Sequence, residues 1–300
     1  MTAVPQLLIE TLEVPIAEVR RVVATALEED LGSGDITTDY LVPADTMARA
    51  ALAYRTAGVV CGLGIASEVF RSLDERITLQ PIAHEGDHVD AGAVVALVRG
   101  PARGILKGER VALNFVQRMA GIATATARYV AAVQGTRAHV IDTRKTTPGL
   151  RALERYAVRV GGGRNHRFNL SDGVLVKDNH LAAMRTQGIG TVEALRRLRD
   201  HVPHMVRVEA EVDRLDQIPA MLEGGVDVIL LDNFSSSEVA EAVRMVGGRA
   251  LLEVSGGVRL ETIGEYARLG VDVISVGALT HSTPALDVGL DFELDDVRSA

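Results

Sequence analysis

The chain has no tryptophan, a single cysteine and only 3% aromatic residues. Proteins that grip single-stranded nucleic acid stack bases on aromatic side chains along a basic groove. A chain this poor in aromatics, with a net charge of −8, lacks both features and has no bulk attraction for phosphate backbones or anionic membranes. Cys61 stands alone, so no intrachain disulfide can form, and a reducing, cytoplasmic setting is the expectation. No Cys/His cluster has zinc spacing. No run of 18 apolar residues exists, so no transmembrane helix is expected. Residues 1–15 include Glu10 and Glu13, lack a basic start and have no long apolar run; a secretory leader is not expected.

What is present is an ordinary globular composition, 47% hydrophobic and 24% charged over 300 residues, enough for one large domain or two smaller ones. Ile16, Val19, Val22, Val23, Ala26 and Leu27 recur at helical spacing and predict a helix over about 15–29. A loop rich in breakers follows at 28–35. Residues 46–60 read as strands around a turn, 63–73 as a helix, and 77–82 and 93–98 as strands joined near Glu85-Gly86-Asp87. This irregular mixture implies a small α+β domain. Residues 103–134 are strongly helical, with a break expected at Gly121.

From residue 138 the pattern becomes regular. Apolar runs at 138–141, 173–176, 206–212, 226–231, 250–254 and 271–276 alternate with helix-patterned segments at 191–200, 214–223, 236–246 and 260–269. That is the signature of parallel strands with helical crossovers. The units are short and uniform, 21 residues from Glu211 to Asp232 and 22 from Asp232 to Val254, which suits a barrel better than an open sheet. Six strands are clear. A weaker one is read at Val158-Arg159-Val160.

Function in parallel α/β folds sits at the carboxyl ends of strands. In chain order those ends carry Asp142, Arg144 and Lys145, then Lys177, Glu211, Asp232, Glu253 with Ser255, and Gly277. Between Arg144 and Lys177 there are eight Lys/Arg and two acids, a cationic island in an acidic chain, which points to a small polyanionic ligand. Arg144 and Arg167 can each grip a carboxylate or phosphate bidentately. His166, flanked by Arg164 and Arg167, reads as a ligand contact. Glu211 and Asp232 suit a divalent ion held through water, ribose hydroxyls, or a developing cation; an ion pair to Lys145 or Lys177 is the alternative. Ser255-Gly256-Gly257 and Gly277-Ala278 follow the last two barrel strands, where backbone N–H groups often bind phosphate.

These stretches carry a resemblance. Glu28 to Thr38, Gly108 to Asn114, Asp142 to His180, Glu209 to Asp213, Leu230 to Phe234, Glu253 to Gly257 and Val276 to His281 together resemble the quinolinate phosphoribosyltransferases, in order and over nearly the full chain. Thr147, at a position often apolar in that family, and Ala210, in place of a common valine, depart from its pattern. The resemblance implies an α/β protein with an N-terminal α+β sandwich domain over 1–115, to which 280–300 returns, and an incomplete α/β barrel of about seven strands over 116–279. It implies that quinolinate and 5-phosphoribosyl-1-pyrophosphate give nicotinate mononucleotide, pyrophosphate and CO2, with Mg2+ as cofactor. It places Thr143, Arg144, Lys145, His166, Arg167 and Lys177 on the substrate carboxylates and phosphates, and Glu211 and Asp232 near the ribose and Mg2+. Ser255, Gly256, Gly257, Val276, Gly277 and Ala278 fall on the 5-phosphate. Lys145, Lys177, Glu211 and Asp232 are the implied catalytic residues, and Arg110 is implied to reach the site of a second subunit in a homodimer.

The chemistry of the residues agrees with such a reaction. A dianionic acid and a polyphosphorylated sugar need dense positive charge to meet, and an oxocarbenium-like state benefits from a nearby carboxylate. A rival reading is a Schiff-base enzyme acting on a sugar phosphate through Lys145 or Lys177; it requires a depressed lysine pKa, which neighbouring carboxylates oppose.

Overall fold

The computed structural model describes residues 13–294. Residues 1–12, most of the stretch for which no secretory leader is expected, and the tail beyond 294 lie outside them. The described chain divides into two compact units: residues 13–127, 146–162 and 280–294, and residues 128–145 and 163–279.

The first unit opens with α1 (Ile16–Leu31), whose Val19, Val22, Val23 and Leu27 are buried, as the helical spacing predicts. Gly32 ends it with a positive φ of 50°. Asp35 then caps α2 (Ile36–Leu41) by accepting the Thr38 N–H at 3.0 Å. Strands β1 (Met47–Tyr54) and β2 (Gly58–Val59) fall within 46–60, and β3 (Thr78–Pro81) and β5 (Val94–Pro101) at the two later strand readings, with α3 (Leu63–Leu73) between β2 and β3; the short β4 (His88–Val89), between β3 and β5, was not foreseen. The main sheet has the order β12-β1-β5-β3. Its outer member β12 (Val288–Leu294) pairs antiparallel with β1, Tyr54 opposite Val288 and Ala50 opposite Phe292.

The helix α4 (Ala102–Ala132) runs without the break expected at Gly121. A Cβ at Gly121 would strike the carbonyl oxygen of Pro284, where the returning chain bonds Leu286 N–H to the Gln117 carbonyl at 2.9 Å. This glycine serves close backbone approach rather than helix termination. Another departure is Val158–Val160, which belongs to the helix α5 (Arg151–Val160) and not to a strand. Leu153, Tyr156 and Ala157 are buried at helical spacing there, and a three-residue apolar run cannot by itself separate helix from strand. The carboxylate of Glu154 is buried and paired with Arg118 on α4 at 2.8 Å.

The second unit is built on a parallel sheet of order β6-β11-β10-β9-β8-β7. Its strands are β6 (His139–Ile141), β7 (Val174–Val176), β8 (Val208–Val212), β9 (Val228–Asp232), β10 (Leu251–Ser255) and β11 (Val273–Ser275). The crossovers carry α6 (Asp178–Arg185), α7 (Thr191–His201), α8 (Ile218–Glu223), α9 (Ser236–Val246) and α10 (Leu260–Arg268), and α11 (Ala278–His281) follows β11. Between β6 and β7 a single parallel bridge, Ile141 with Arg164, marks a seventh strand position. From that position Arg167 donates to the Gly173 carbonyl at 2.8 Å, just before β7. The barrel is therefore incomplete, as expected, but its reduced strand is at 164 rather than 158–160. No helix among the described residues is long and apolar enough to cross a membrane.

Candidate active site

Parallel register brings the strand ends to one edge of the second unit. Glu211 stands opposite Leu230, Asp232 opposite Ser255, and Ser275 opposite Ile141. The residues that follow these strands, Thr143 to Lys145, Lys177, Gly256 with Gly257, and Val276 to Ala278, therefore share the rim to which the sequence assigned them.

Local interactions shape each position. The Thr143 hydroxyl accepts the Lys145 N–H at 3.1 Å, turning the chain so that Arg144 and Lys145 are exposed past β6. Arg144 lies close enough to Arg167 for its charge, together with burial, to hold the Arg167 pKa below the usual guanidinium value. Both remain cations, so two like charges converge here, with the Glu209 carboxylate partly offsetting them at Arg167. Lys177 Nζ donates to Glu211 Oε2 at 2.5 Å. The ion pair weighed from the sequence is thus made by Lys177, at the rim itself. Asp232 Oδ2 accepts from the amide of Asn233 at 2.9 Å.

Asn233 has φ of 60°, the only non-glycine with positive φ among the described residues, and its N–H bonds the Ser255 carbonyl at 2.9 Å. Backbone strain of this kind clusters at functional sites. Gly256, with φ of 87°, packs against it; a Cβ on Gly256 would come within 2.8 Å of the Asn233 nitrogen. The glycine-rich loop after β10 is therefore locked to the end of β9. Arg110 is exposed on α4 of the first unit and is not one of these strand-end groups.

Two acids assigned to the rim lie below it. Asp142 is fully buried; its carboxylate accepts the His166 N–H at 2.8 Å and the Asn165 amide at 2.5 Å. Glu253, 3% exposed, points inward one side-chain level beneath Ser255. Buried Glu209 holds the same level beneath Glu211 on β8. His166 reaches between them, its Nε2 at 3.2 Å from Glu209 Oε2 and 3.9 Å from Glu253 Oε1. Its Nδ1 accepts the Arg167 N–H at 2.6 Å. Burial opposes charging of this imidazole, but the Glu209 hydrogen bond and the two acids outweigh it and raise its pKa. Burial first and the Glu209 charge second push Glu253 up to about 8. The three groups line a cavity of about 530 Å³ that also meets His139, Arg164 and Arg207.

The donor atoms of His166, Glu209 and Glu253 lie within 4.8 Å of one another, a spacing a cation could use. However, a ring that accepts an N–H at Nδ1 carries its hydrogen on Nε2 and offers no lone pair there. The geometry speaks against a metal in this cluster. Glu211 and Asp232, half-exposed at the rim, suit a hydrated Mg2+ better, because that ion keeps several waters and takes one or two carboxylates plus substrate phosphates. Sequence reasoning missed Glu209 and Asn233, and it misplaced Asp142 and Glu253. The alternation in Val208-Glu209-Ala210-Glu211-Val212 already put Glu209 on the face of Glu211.

Comparison with known proteins identifies the lineage. The family model described as quinolinate phosphoribosyl transferase, C-terminal domain, matches residues 122–291, and the corresponding N-terminal domain matches 35–120. The chain belongs to the quinolinate phosphoribosyltransferase family. Nicotinate-nucleotide pyrophosphorylase [carboxylating] of Mycobacterium leprae is 46% identical over 280 residues, covering 91% of this chain and 96% of the relative. The probable nicotinate-nucleotide pyrophosphorylase [carboxylating] of Bacillus subtilis is 40% identical, covering 89% and 91%. Among solved structures, NadC from Streptococcus pyogenes superposes with a TM-score of 0.89 at 39% identity over 95% of this chain and 99% of that one. Within the quinolinate phosphoribosyltransferase fold, the rim of the second unit is the candidate active site.

Proposed function

We propose that the protein joins quinolinate to 5-phosphoribosyl-1-pyrophosphate, releasing pyrophosphate and CO2 and forming nicotinate mononucleotide, as a pentosyltransferase of NAD biosynthesis. The observation that carries the reading is the convergence of Arg144 and Arg167 beside the Lys177–Glu211 pair on one rim. Two guanidinium groups match the two carboxylates of quinolinate. Lys145 and Lys177 supply point charges for the phosphates. Glu211 and Asp232 face the developing positive charge on the ribose, where a carboxylate stabilises an oxocarbenium-like state. Lys177 leaves part of the Glu211 charge neutralised until substrate competes for the lysine. The Asn233-locked loop at Ser255 to Gly257, with Val276, Gly277 and Ala278, offers backbone N–H groups to the 5-phosphate. Once the pyridine nitrogen carries the ribose, its positive charge accepts the electron pair left by the departing carboxylate, so decarboxylation needs no further group.

Mg2+ belongs to the same reading; bound at Glu211 and Asp232, it would neutralise the leaving pyrophosphate. His166, with its ring nitrogens directed to Glu209 and the Arg167 backbone, serves the substrate pocket as part of its wall. A homodimer is supported by α2, which presents Ile36, Tyr40 and Leu41 at 76%, 89% and 76% exposure. Such a patch is unusual on a monomer. The helix is held rigidly in that pose, with Asp39 bonded to Lys107 at 2.6 Å and the Val42 carbonyl to Arg103 at 2.7 Å. Arg110 stands one turn beyond Lys107 on α4 and is offered to the second subunit. A reducing, cytoplasmic setting rests on Cys61, a lone buried thiol.

The test is direct. Purified protein with quinolinate, 5-phosphoribosyl-1-pyrophosphate and Mg2+ should release CO2 and pyrophosphate together, and omission of Mg2+ should suppress both. Borohydride should trap no lysine adduct; a trapped adduct would instead favour Schiff-base chemistry at Lys145 or Lys177.

A further inference from the structure

The wall of the substrate pocket is fixed from beneath by a group of side chains that no step of the reaction uses. His166 is held at three points: its N–H by Asp142 at 2.8 Å, its Nδ1 by the Arg167 N–H at 2.6 Å, and its Nε2 by Glu209 at 3.2 Å. Arg167, next in the chain, is bonded to the Gly173 carbonyl. The Arg167 backbone is therefore tied to the His166 ring, and its guanidinium to Gly173, beside Arg144.

Beneath the ring, Glu209 and Glu253 each bury one carboxyl oxygen, Oε1, that has no hydrogen-bond partner. Two such orphans on neighbouring acids, 7% and 3% exposed, are costly if both groups are ionised. One proton placed between the two acids removes the repulsion and satisfies both oxygens. The Nε2–H of the ring does not satisfy them, because that hydrogen already points at Glu209 Oε2.

We propose that Glu253 and Glu209 are positioning residues for the substrate-binding arginine: Glu253, as a carboxylic acid, donates to the neighbouring Glu209 carboxyl, which in turn fixes the His166 ring and through it the Arg167 backbone. Burial and the Glu209 charge favour that protonation in the direction required. The charged and titratable groups sharing the cavity are His139 on β6, Arg164, Arg167 and Asp172 around the reduced strand, and Arg207 before β8; Ser275 on β11 also meets Glu253. His166 also faces Glu253, its Nε2 at 3.9 Å, and opposes the upward push, but burial and the Glu209 charge outweigh it.

The inference rests on the reading that Arg144 and Arg167 bind the quinolinate carboxylates, and the test separates the two. Glu253→Gln keeps a donor toward Glu209, while Glu253→Leu removes it. At pH 7, Glu253→Gln should hold the KM for quinolinate within about threefold of the parent, and Glu253→Leu should raise it about tenfold or more with a smaller change in kcat. The KM of the parent should rise as pH passes about 8, and that alkaline limb should vanish in Glu253→Gln. Nitrogen-15 spectra of the imidazole should show the Nε2–H tautomer of His166 in the parent and in Glu253→Gln, a readout independent of turnover. Equal impairment of the Gln and Leu variants, an alkaline limb that survives in Glu253→Gln, or an Nδ1–H tautomer would overturn the inference. If the parent does not turn over quinolinate at all, it is the functional reading that fails, and the tautomer still reports on the network.

Discussion

At Glu253 burial and titration are tightly linked. An ordinary glutamate carboxyl titrates near 4.5, and in the fold burial and Glu209 push Glu253 up to about 8. Between those values the folded chain binds more proton than the unfolded one, so this group's contribution to stability falls as pH rises from about 4.5 to 8 and is flat beyond. Glu253→Gln removes the titration. Its stability relative to the parent should therefore improve between pH 5 and pH 8, as read from urea unfolding at both; an unchanged difference would mean that Glu253 is ionised in the fold throughout. At this scale the sequence was informative about residue type and less so about depth. Arg144, Lys177, Glu211 and Asp232 reach the rim because each ends or follows a strand. Asp142 and Glu253 occupy similar places in the chain, yet one is drawn inward by the His166 N–H and the other points to the inward face of β10. Only side-chain alternation, applied residue by residue, separates the rim from the level below.

At the scale of elements, regular alternation made the second unit readable. The six stretches read from 138 onward lie within a few residues of β6 to β11: a strand buried on both faces, such as β9, shows as an apolar run, and β8 shows as the alternation of Val208 to Val212. The seventh position escaped notice, since a single bridge at Arg164 leaves no run to detect. In the first unit β12 was also missed, although Val288, Leu290, Phe292 and Leu294 alternate with polar or small residues. Its partner β1 lies over 230 residues away in sequence, and such long-range pairing has no local signal. The join between α4 and α5 carries a prediction of its own. Arg118 donates to Glu154 and to the carbonyls of Thr280 and Thr283, so it ties α5 and the returning chain to α4. Glu154 is 1% exposed. Arg118→Ala would take the Arg118 cation from that buried carboxylate, leaving it the Thr147 N–H and hydroxyl as donors, and should cost about 3–5 kcal/mol of stability, measured by chemical denaturation. A loss under about 1 kcal/mol would show that the pair is dispensable.

For the whole molecule, the claim is that one chain lacks part of its site. Arg110 on α4 and the exposed apolar face of α2 belong to the first unit, whereas the rim lies in the second. If Arg110 serves a second subunit, mixing Arg110→Ala chains with Lys145→Ala chains should restore activity. Each mixed dimer then contains one site with both its own Lys145 and the other subunit's Arg110. Activity that stays at the level of the parental variants would place Arg110 in the service of its own chain.

The central claim is that cations gathered at the strand ends hold the dicarboxylate. Arg144 tests it most directly, because it is exposed at the rim and its charge acts on Arg167. Measurement of kcat/KM for quinolinate in the parent and in Arg144→Ala should show a loss of about 2–4 kcal/mol in transition-state binding. A variant that keeps nearly the parental kcat/KM would remove Arg144 from the site and contradict the account.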